Sequence, residues 1–201
     1  VLFRSLNRAA FADRIAGVLR SLSKGTSLVI GVNGPWGDGK TTVLNLLRAG
    51  LSGDQMFVVC DFNPWRLKDE ETMFRGFFSV LAQAVGASLA TPFERTKAKA
   101  GKAARFVRWI TWFLRRVSKS AETVDDLLAR FCEVAAQGDS VGLEELRSRV
   151  FKYLTQSARR IVVLIDDLDR LDKHETRTLF RLVKACADFP NVCYVLAFDD
   201  T

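Results

Sequence analysis

Histidine and cysteine are scarce in this chain. One histidine, His174, and four cysteines stand among 201 residues, and neither type is clustered. Cys60, Cys132, Cys186 and Cys193 show no C-x-x-C spacing. That argues against a zinc site and fits free thiols in a reducing, cytoplasmic setting. Two of them fall in or beside apolar runs, where a thiol acts as a small hydrophobe. His174 sits in the charged stretch Asp172-Lys173-His174-Glu175, the composition of an exposed helix start and not of a ligand set. A long apolar run is missing too. The uncharged stretch from Gly76 to Phe93 has 18 residues but contains Ser79, Gln83, Ser88, Thr91 and Pro92. It stands at the lower limit for a bilayer-spanning helix, and a buried helix packed on a sheet is the better expectation. Finally, no acidic residue occurs between Glu94 and Glu122. What remains is 48% hydrophobic and 26% charged, a balance that supports one sizeable α/β core.

The most informative segment is Gly34-Pro35-Trp36-Gly37-Asp38-Gly39-Lys40-Thr41, which fits G-x-x-x-x-G-K-[ST], a phosphate-binding loop. Leu28-Val29-Ile30-Gly31-Val32 before it reads as a buried strand, and Thr42 to Arg48 after it reads as a helix ending near Gly50. Glycines let the backbone curl until its N–H groups reach phosphate oxygens without a side chain in the way. The following helix points its positive end at the same anion. Lys40 is expected at the β- and γ-phosphates, and the Thr41 hydroxyl at Mg²⁺.

Such a loop calls for a second buried strand ending in acid. Ile161-Val162-Val163-Leu164-Ile165 is an unbroken aliphatic run, the pattern of a strand covered on both faces, and Asp166 and Asp167 follow at once. Asp166 is the candidate on the Mg²⁺ side, commonly through water, and Asp167 the candidate to polarise an attacking water. The competing reading of this pair is a helix N-cap. Many P-loop ATPases place Glu at the second position; Asp is one methylene shorter, which points to slow hydrolysis or a site completed by a partner.

Asp166-Asp167-Leu168-Asp169-Arg170-Leu171 resembles the DDLDR signature of the KAP family of P-loop NTPases, related to the STAND branch of signalling ATPases. Leu6-Asn7-Arg8-Ala9-Ala10-Phe11-Ala12 is similar to that family's lead-in helix, and Asp61-Phe62-Asn63-Pro64-Trp65 to its FNAW-like element, with Pro64 where Ala is more usual. Tyr194-Val195-Leu196-Ala197-Phe198-Asp199 resembles the strand carrying its sensor-like polar residue. These landmarks come in the family's order across nearly the whole chain. The resemblance implies a three-layer α/β/α fold with a parallel sheet, ATP as ligand and a nucleotide-driven switch. It places the closing strand between the loop strand and the Asp166 strand, so that Asp199 senses the γ-phosphate. Arg170 is expected to pair with Asp169 or to act across a homo-oligomer interface, and Asn63 and Trp65 to lie near the nucleotide. It also implies a fifth strand and a helical lid beyond Thr201, so the sequence is expected to be a fragment of a longer protein, an expectation that the absence of an initiator Met supports.

Along the chain, residues 5–22 read as an amphipathic helix, 56–60 as the second strand, 122–157 as helical with a break near Gly138, 173–188 as helix and Val192 to Phe198 as the closing strand. A further helix starts at Asp69-Glu70-Glu71 and runs through Phe74, Phe77, Phe78 and Leu81. Alternation of strand and helix means a parallel sheet with right-handed crossovers. The core is expected to span 1–201, with a basic insert at 95–120. Residues 95–119 hold nine cations, without which the net charge of +7 would be −2. Phe106, Trp109, Ile110, Phe113 and Val117 form one apolar face opposite them. A helix docked on its own domain, contact with a membrane surface at its inner face, a nucleic-acid backbone and a protein partner all fit; a membrane span does not, because the uncharged core between Arg108 and Arg115 is too short.

Two functions of different class follow. The leading one is Mg²⁺-dependent ATP hydrolysis by a switch domain in membrane-associated signalling or phage defence, using the backbone of 34–41, Lys40, Thr41, Thr42, Asp166, Asp167 and Asp199. The alternative is an ATP-gated binding module that turns over slowly or not at all. Guanine is disfavoured because no N-K-x-D element occurs. A small-molecule kinase is disfavoured because nothing in the sequence indicates an acceptor pocket.

Overall fold

The computed structural model describes residues 2–67 and 159–199, together with 72, 73, 76, 77, 80, 81, 83, 84, 154 and 155; side chains of 2–6 and 185 are not included. The insert at 95–120, the helical reading of 122–157 apart from the helical residues 154 and 155, and most of the 76–93 stretch lie outside the described residues. The elements are α1 (Leu2–Ser21), β1 (Leu28–Asn33), α2 (Lys40–Ser52), β2 (Phe57–Phe62), β3 (Arg160–Ile165), α3 (Lys173–Cys186) and β4 (Val192–Phe198). Single 3-10 turns at Pro64–Arg66 and Leu168–Arg170 follow β2 and β3.

The described strands form one parallel sheet in the order β1-β4-β3-β2. β4, last in the chain, thus separates the loop strand from the Asp166 strand, as the resemblance implied. β3 is buried at every position and β4 at all but its last, which is why both sequences are continuous apolar runs without alternation. β1 lies at one edge of this sheet, with Val29 exposed.

Because neighbouring residues of a strand point to opposite faces, β2, β3 and β4 supply two cores, and the edge strand β1 supplies one. On one face Ala12, Ile15, Ala16 and Leu19 of α1 and Val43, Leu44, Leu47 and Leu51 of α2 pack against Val162, Leu164, Cys193, Val195 and Ala197. On the other, Leu179, Leu182, Val183 and Cys186 of α3, with Met73, Phe77 and Leu81, cover Ile161, Val163, Ile165, Tyr194 and Leu196. The result is helix, sheet, helix: the expected three-layer α/β/α arrangement. Met73, Phe77 and Leu81, helical and spaced by four, place the start of the uncharged stretch in this core. Among the described residues no helix is long and apolar enough to cross a membrane.

Polar groups lock the ends. The buried Arg160 guanidinium donates to the carbonyls of Leu19, Leu22 and Ser23, satisfying the C-terminal end of α1. Asn191 accepts from Gly25 N at 2.7 Å and donates to Leu154 O at 2.9 Å, tying the turn before β1 to the start of β4. α3 begins with a reciprocal capping box, Asp172 to the amide of Glu175 and Glu175 to that of Asp172. The α-helix after β3 is therefore capped by Asp172, whereas Asp167 holds the N-cap position of the 3-10 turn without a side-chain cap hydrogen bond. His174 is exposed in the first turn of that helix.

Candidate nucleotide site

The glycine chemistry of 34–39 is visible in the backbone. Gly37 has φ of 87° and Gly39 φ of 82°, both in the left-handed region that costs a residue with a side chain about 1–2 kcal/mol. Between them the loop turns back, with Asp38 N donating to Pro35 O at 3.1 Å. Gly39 is also the N-cap of α2, and no side chain caps that helix. The positive end of α2 thus opens toward the loop. Lys40 Nζ curls over it and donates to Gly34 O at 2.7 Å and Pro35 O at 3.3 Å. Gly34 N donates to Phe198 O at 3.3 Å, which fastens the loop to the end of β4, one residue before Asp199.

A pocket of about 470 Å³ lies between the loop and α1, within the usual range for small-molecule sites. Asn7, Arg8, Phe11 and Arg14 of α1 form one wall; Val32, Asn33, Gly34, Asp38, Lys40 and Val43 form the other. Three cations against one carboxylate suit a polyanionic ligand, and Phe11 offers a partly exposed ring with the Arg14 guanidinium 5.8 Å from its centroid. Arg8 presses on the loop: a Cβ added to Gly39 would lie 2.5 Å from Arg8 Cζ. Thr41 and Thr42, on the exposed first turn of α2, are not among the lining residues of this pocket.

The described strands being parallel, their carboxyl ends share one edge, where ligands bind in such sheets. Asp166 follows the last residue of β3 and Asp199 the last residue of β4. At about 4.8 Å between strands, Asp199 is one strand from the loop and Asp166 two. Asp166 Oδ1 accepts from Asp167 N at 2.9 Å. Asp167 adopts φ 60°, ψ 35°, a left-handed conformation uncommon for a residue other than glycine and frequent at functional sites. Arg170 Nε is 3.1 Å from Asp167 Oδ1, so its partner is Asp167 and not the neighbouring Asp169 that the sequence suggested. The reason is local: the 3-10 turn of Leu168–Arg170 brings residue 170 back over residue 167.

Asn63 and Trp65 follow β2, three strands from the loop strand. They reach the same edge but stand beside the Asp166-Asp167 segment, not beside the pocket. The Arg170 guanidinium is 4.8 Å from the Trp65 ring centroid.

The thiols of Cys60 and Cys193 are not reactive groups of this site. Burial, with Asp61 adding to it, pushes the Cys60 thiol up to about 12, and burial raises Cys193 as well. Cys60, Cys186 and Cys193 are not in disulfides.

Sequence motif reasoning assigned no role to the α1 wall. Its signal is there in retrospect: Asn7, Arg8, Phe11 and Arg14 recur at helical spacing on a face other than the buried Ala12, Ile15, Ala16 and Leu19.

A parallel α/β sheet whose glycine loop leads from a strand into an uncapped helix, beside a cationic pocket, defines a P-loop nucleotide-binding protein. Residues 8–201 match the KAP family P-loop domain, and the chain belongs to that family. It is 24% identical over 206 residues to the Phage T7 exclusion protein of Escherichia coli (strain K12), a match covering 94% of this chain and 28% of that protein. The chain therefore spans under a third of that relative's length. Among solved structures it is similar to the Aeropyrum pernix ORC1 protein in complex with DNA, at 15% identity and a TM-score of 0.42, covering 98% of this chain and 39% of the other. Drosophila ORC bound to DNA gives 13% identity and a TM-score of 0.41, covering 97% and 38%.

Proposed function

We propose that this domain binds ATP with Mg²⁺ and hydrolyses it as a nucleotide-driven switch. The observation that carries the reading is the left-handed glycine loop, closed over by Lys40 and opening onto the cationic pocket, with carboxylates at the same sheet edge. The loop amides and Lys40 hold phosphates, and Arg8, Phe11 and Arg14 give the rest of the nucleotide a charged and aromatic wall. Asp199, one strand away, senses the terminal phosphate, and Asp167 orients water. Among the described residues no group of three or more His, Cys, Asp or Glu side chains could hold a metal. An ion here would be held by Thr41, Asp166, water and phosphate oxygens, the usual mode for Mg²⁺. Asp166 suits this, since one of its oxygens accepts the Asp167 amide and the other remains for a water of the ion. When bound, the ion neutralises charge developing on the phosphates.

Similarity to a phage exclusion protein supports a role in phage defence, and cysteines outside disulfides among the described residues support a reducing, cytoplasmic setting. Contact of 95–119 with the inner face of a membrane or with a protein partner, and a homo-oligomer with Arg170 at its interface, belong to the same proposal. A second reading, an ATP-gated binding module with little turnover, is favoured by the short Asp167 in place of Glu.

Calorimetric titration of ATP and GTP with Mg²⁺ tests the first step. ATP is expected to bind, and Lys40→Ala to weaken it at least tenfold, about 1.4 kcal/mol. Equal binding by Lys40→Ala refutes the site. Turnover that Asp167→Asn abolishes while binding survives separates the switch from the binding module.

A further inference from the structure

The ends of β2 and β3 are joined by side chains whose arrangement the hydrolytic reading does not explain. Phe62 and Ile165 are paired at the last register position of these strands, and each strand then breaks into a single 3-10 turn, Pro64–Arg66 and Leu168–Arg170. Pro64 is buried and anchors the first turn, leaving Trp65 38% exposed at the sheet edge. Over that indole lies the Arg170 guanidinium, 4.8 Å from the ring centroid, with Arg66 at 5.5 Å. Arg170 Nε lies 3.1 Å from Asp167 Oδ1, the carboxylate carried by the left-handed residue.

An exposed ion pair three residues apart holds its partners loosely, because long side chains keep other rotamers. A flat guanidinium resting on an indole has fewer, since the stacked plane fixes its fork. We propose that Trp65 and Arg170 are positioning residues for Asp167: the indole holds the guanidinium, and the guanidinium holds Oδ1, leaving Oδ2 to accept a hydrogen bond from water. The assignment rests on the hydrolytic reading of Asp167. It also accounts for Asp where a longer Glu is common. A short carboxylate reaches its water from one orientation, and the relay selects that orientation. Trp65 after β2 and Arg170 after the acidic pair thereby become two parts of one device, although about 100 positions separate them in the sequence.

Steady-state turnover and ATP affinity of the full chain, with a fluorescence arm, test this. Arg170→Ala and Trp65→Ala are expected to lower kcat about ten- to hundredfold with the Kd for ATP unchanged, the scale of misplacing a reacting group by about 1 Å. Trp65→Phe, which keeps an aromatic face, restores most of the rate. The double variant falls no further than the weaker single one, because both act through Asp167. The emission of Trp65, isolated by difference from Trp65→Phe, shifts in Asp167→Asn in the same direction as in Arg170→Ala, since the first loosens the guanidinium on the indole and the second removes it. This arm needs no turnover.

If Asp167→Asn abolishes hydrolysis while Arg170→Ala and Trp65→Ala retain it, the relay is wrong and the hydrolytic reading stands. Full turnover in Asp167→Asn removes both. Trp65 emission that ignores Asp167→Asn breaks the coupling whatever the rates.

Discussion

Alanine at Gly39 and at Gly37 separates backbone strain from pocket geometry. Both glycines are left-handed, at φ 82° and 87°. An alanine there costs about 1–2 kcal/mol of conformational strain, offset by about 0.4–1 kcal/mol from the reduced freedom of the unfolded chain. Each variant should therefore lose about 1 kcal/mol, or about 2–4 °C in Tm for a chain of this size. Their surroundings differ. Nothing lies within 4 Å of a Cβ on Gly37, whereas a Cβ on Gly39 meets Arg8 at 2.5 Å. That neighbour is the flexible end of a side chain, so it swings away at small cost to stability, but it leaves the pocket wall. Gly39→Ala should then weaken ATP about tenfold more than Gly37→Ala, about 1.4 kcal/mol. In an Arg8→Ala background that excess should vanish. Urea denaturation and calorimetry on the four variants read both quantities. A neutral Gly37→Ala would refute the need for a left-handed loop, and an unchanged excess in the Arg8→Ala background would remove Arg8 from the ligand's wall.

Arg160→Met leaves the carbonyls of Leu19, Leu22 and Ser23 without their buried donor; a loss of about 3 kcal/mol in urea is expected, and less than about 1 kcal/mol would show that water replaces the guanidinium. Alkaline stability carries a thiol signature. The Cys60 pKa is raised from 9.0 to about 12 in the folded chain, so above pH 9 the unfolded chain releases a proton that the folded chain keeps. Stability is full below pH 9 and falls toward pH 12 by at most about 1.4 kcal/mol per pH unit from this group. The urea midpoint of Cys60→Ala should decline less steeply over that window than that of the parent; parallel declines would refute the shift.

Elements whose pattern has one structural outcome were legible from sequence. β3 and β4 were found within a residue, because strands covered on both faces admit only apolar side chains and are bounded by charge or turn residues. The glycine loop was legible because φ near +85° and close approach to phosphate leave few residue types. Residues 5–22 were recognised as a helix, yet only one of its faces was understood. Ala12, Ile15, Ala16 and Leu19 carry the periodic signal of a core face, while Asn7, Arg8, Phe11 and Arg14 resemble any mixed solvent face until the loop is packed beside them. The partner of Arg170 was misread for a similar reason. Adjacent Asp169 is nearer in sequence, but a 3-10 turn aligns residues three apart.

The sequence by itself determined the layers of this protein and the chemistry of its loop, since periodicity and glycine requirements are properties of short segments. Tertiary structure alone decided which segments share an edge. Inserting β4 between β1 and β3 brings Asp199 to the loop and holds Asp166 one strand farther off. Pairing β2 with β3 sets Trp65 against Arg170 across more than a hundred residues. Such contacts depend on strand order, and strand order is settled by the packing of whole faces against α1, α2 and α3, which no local pattern encodes.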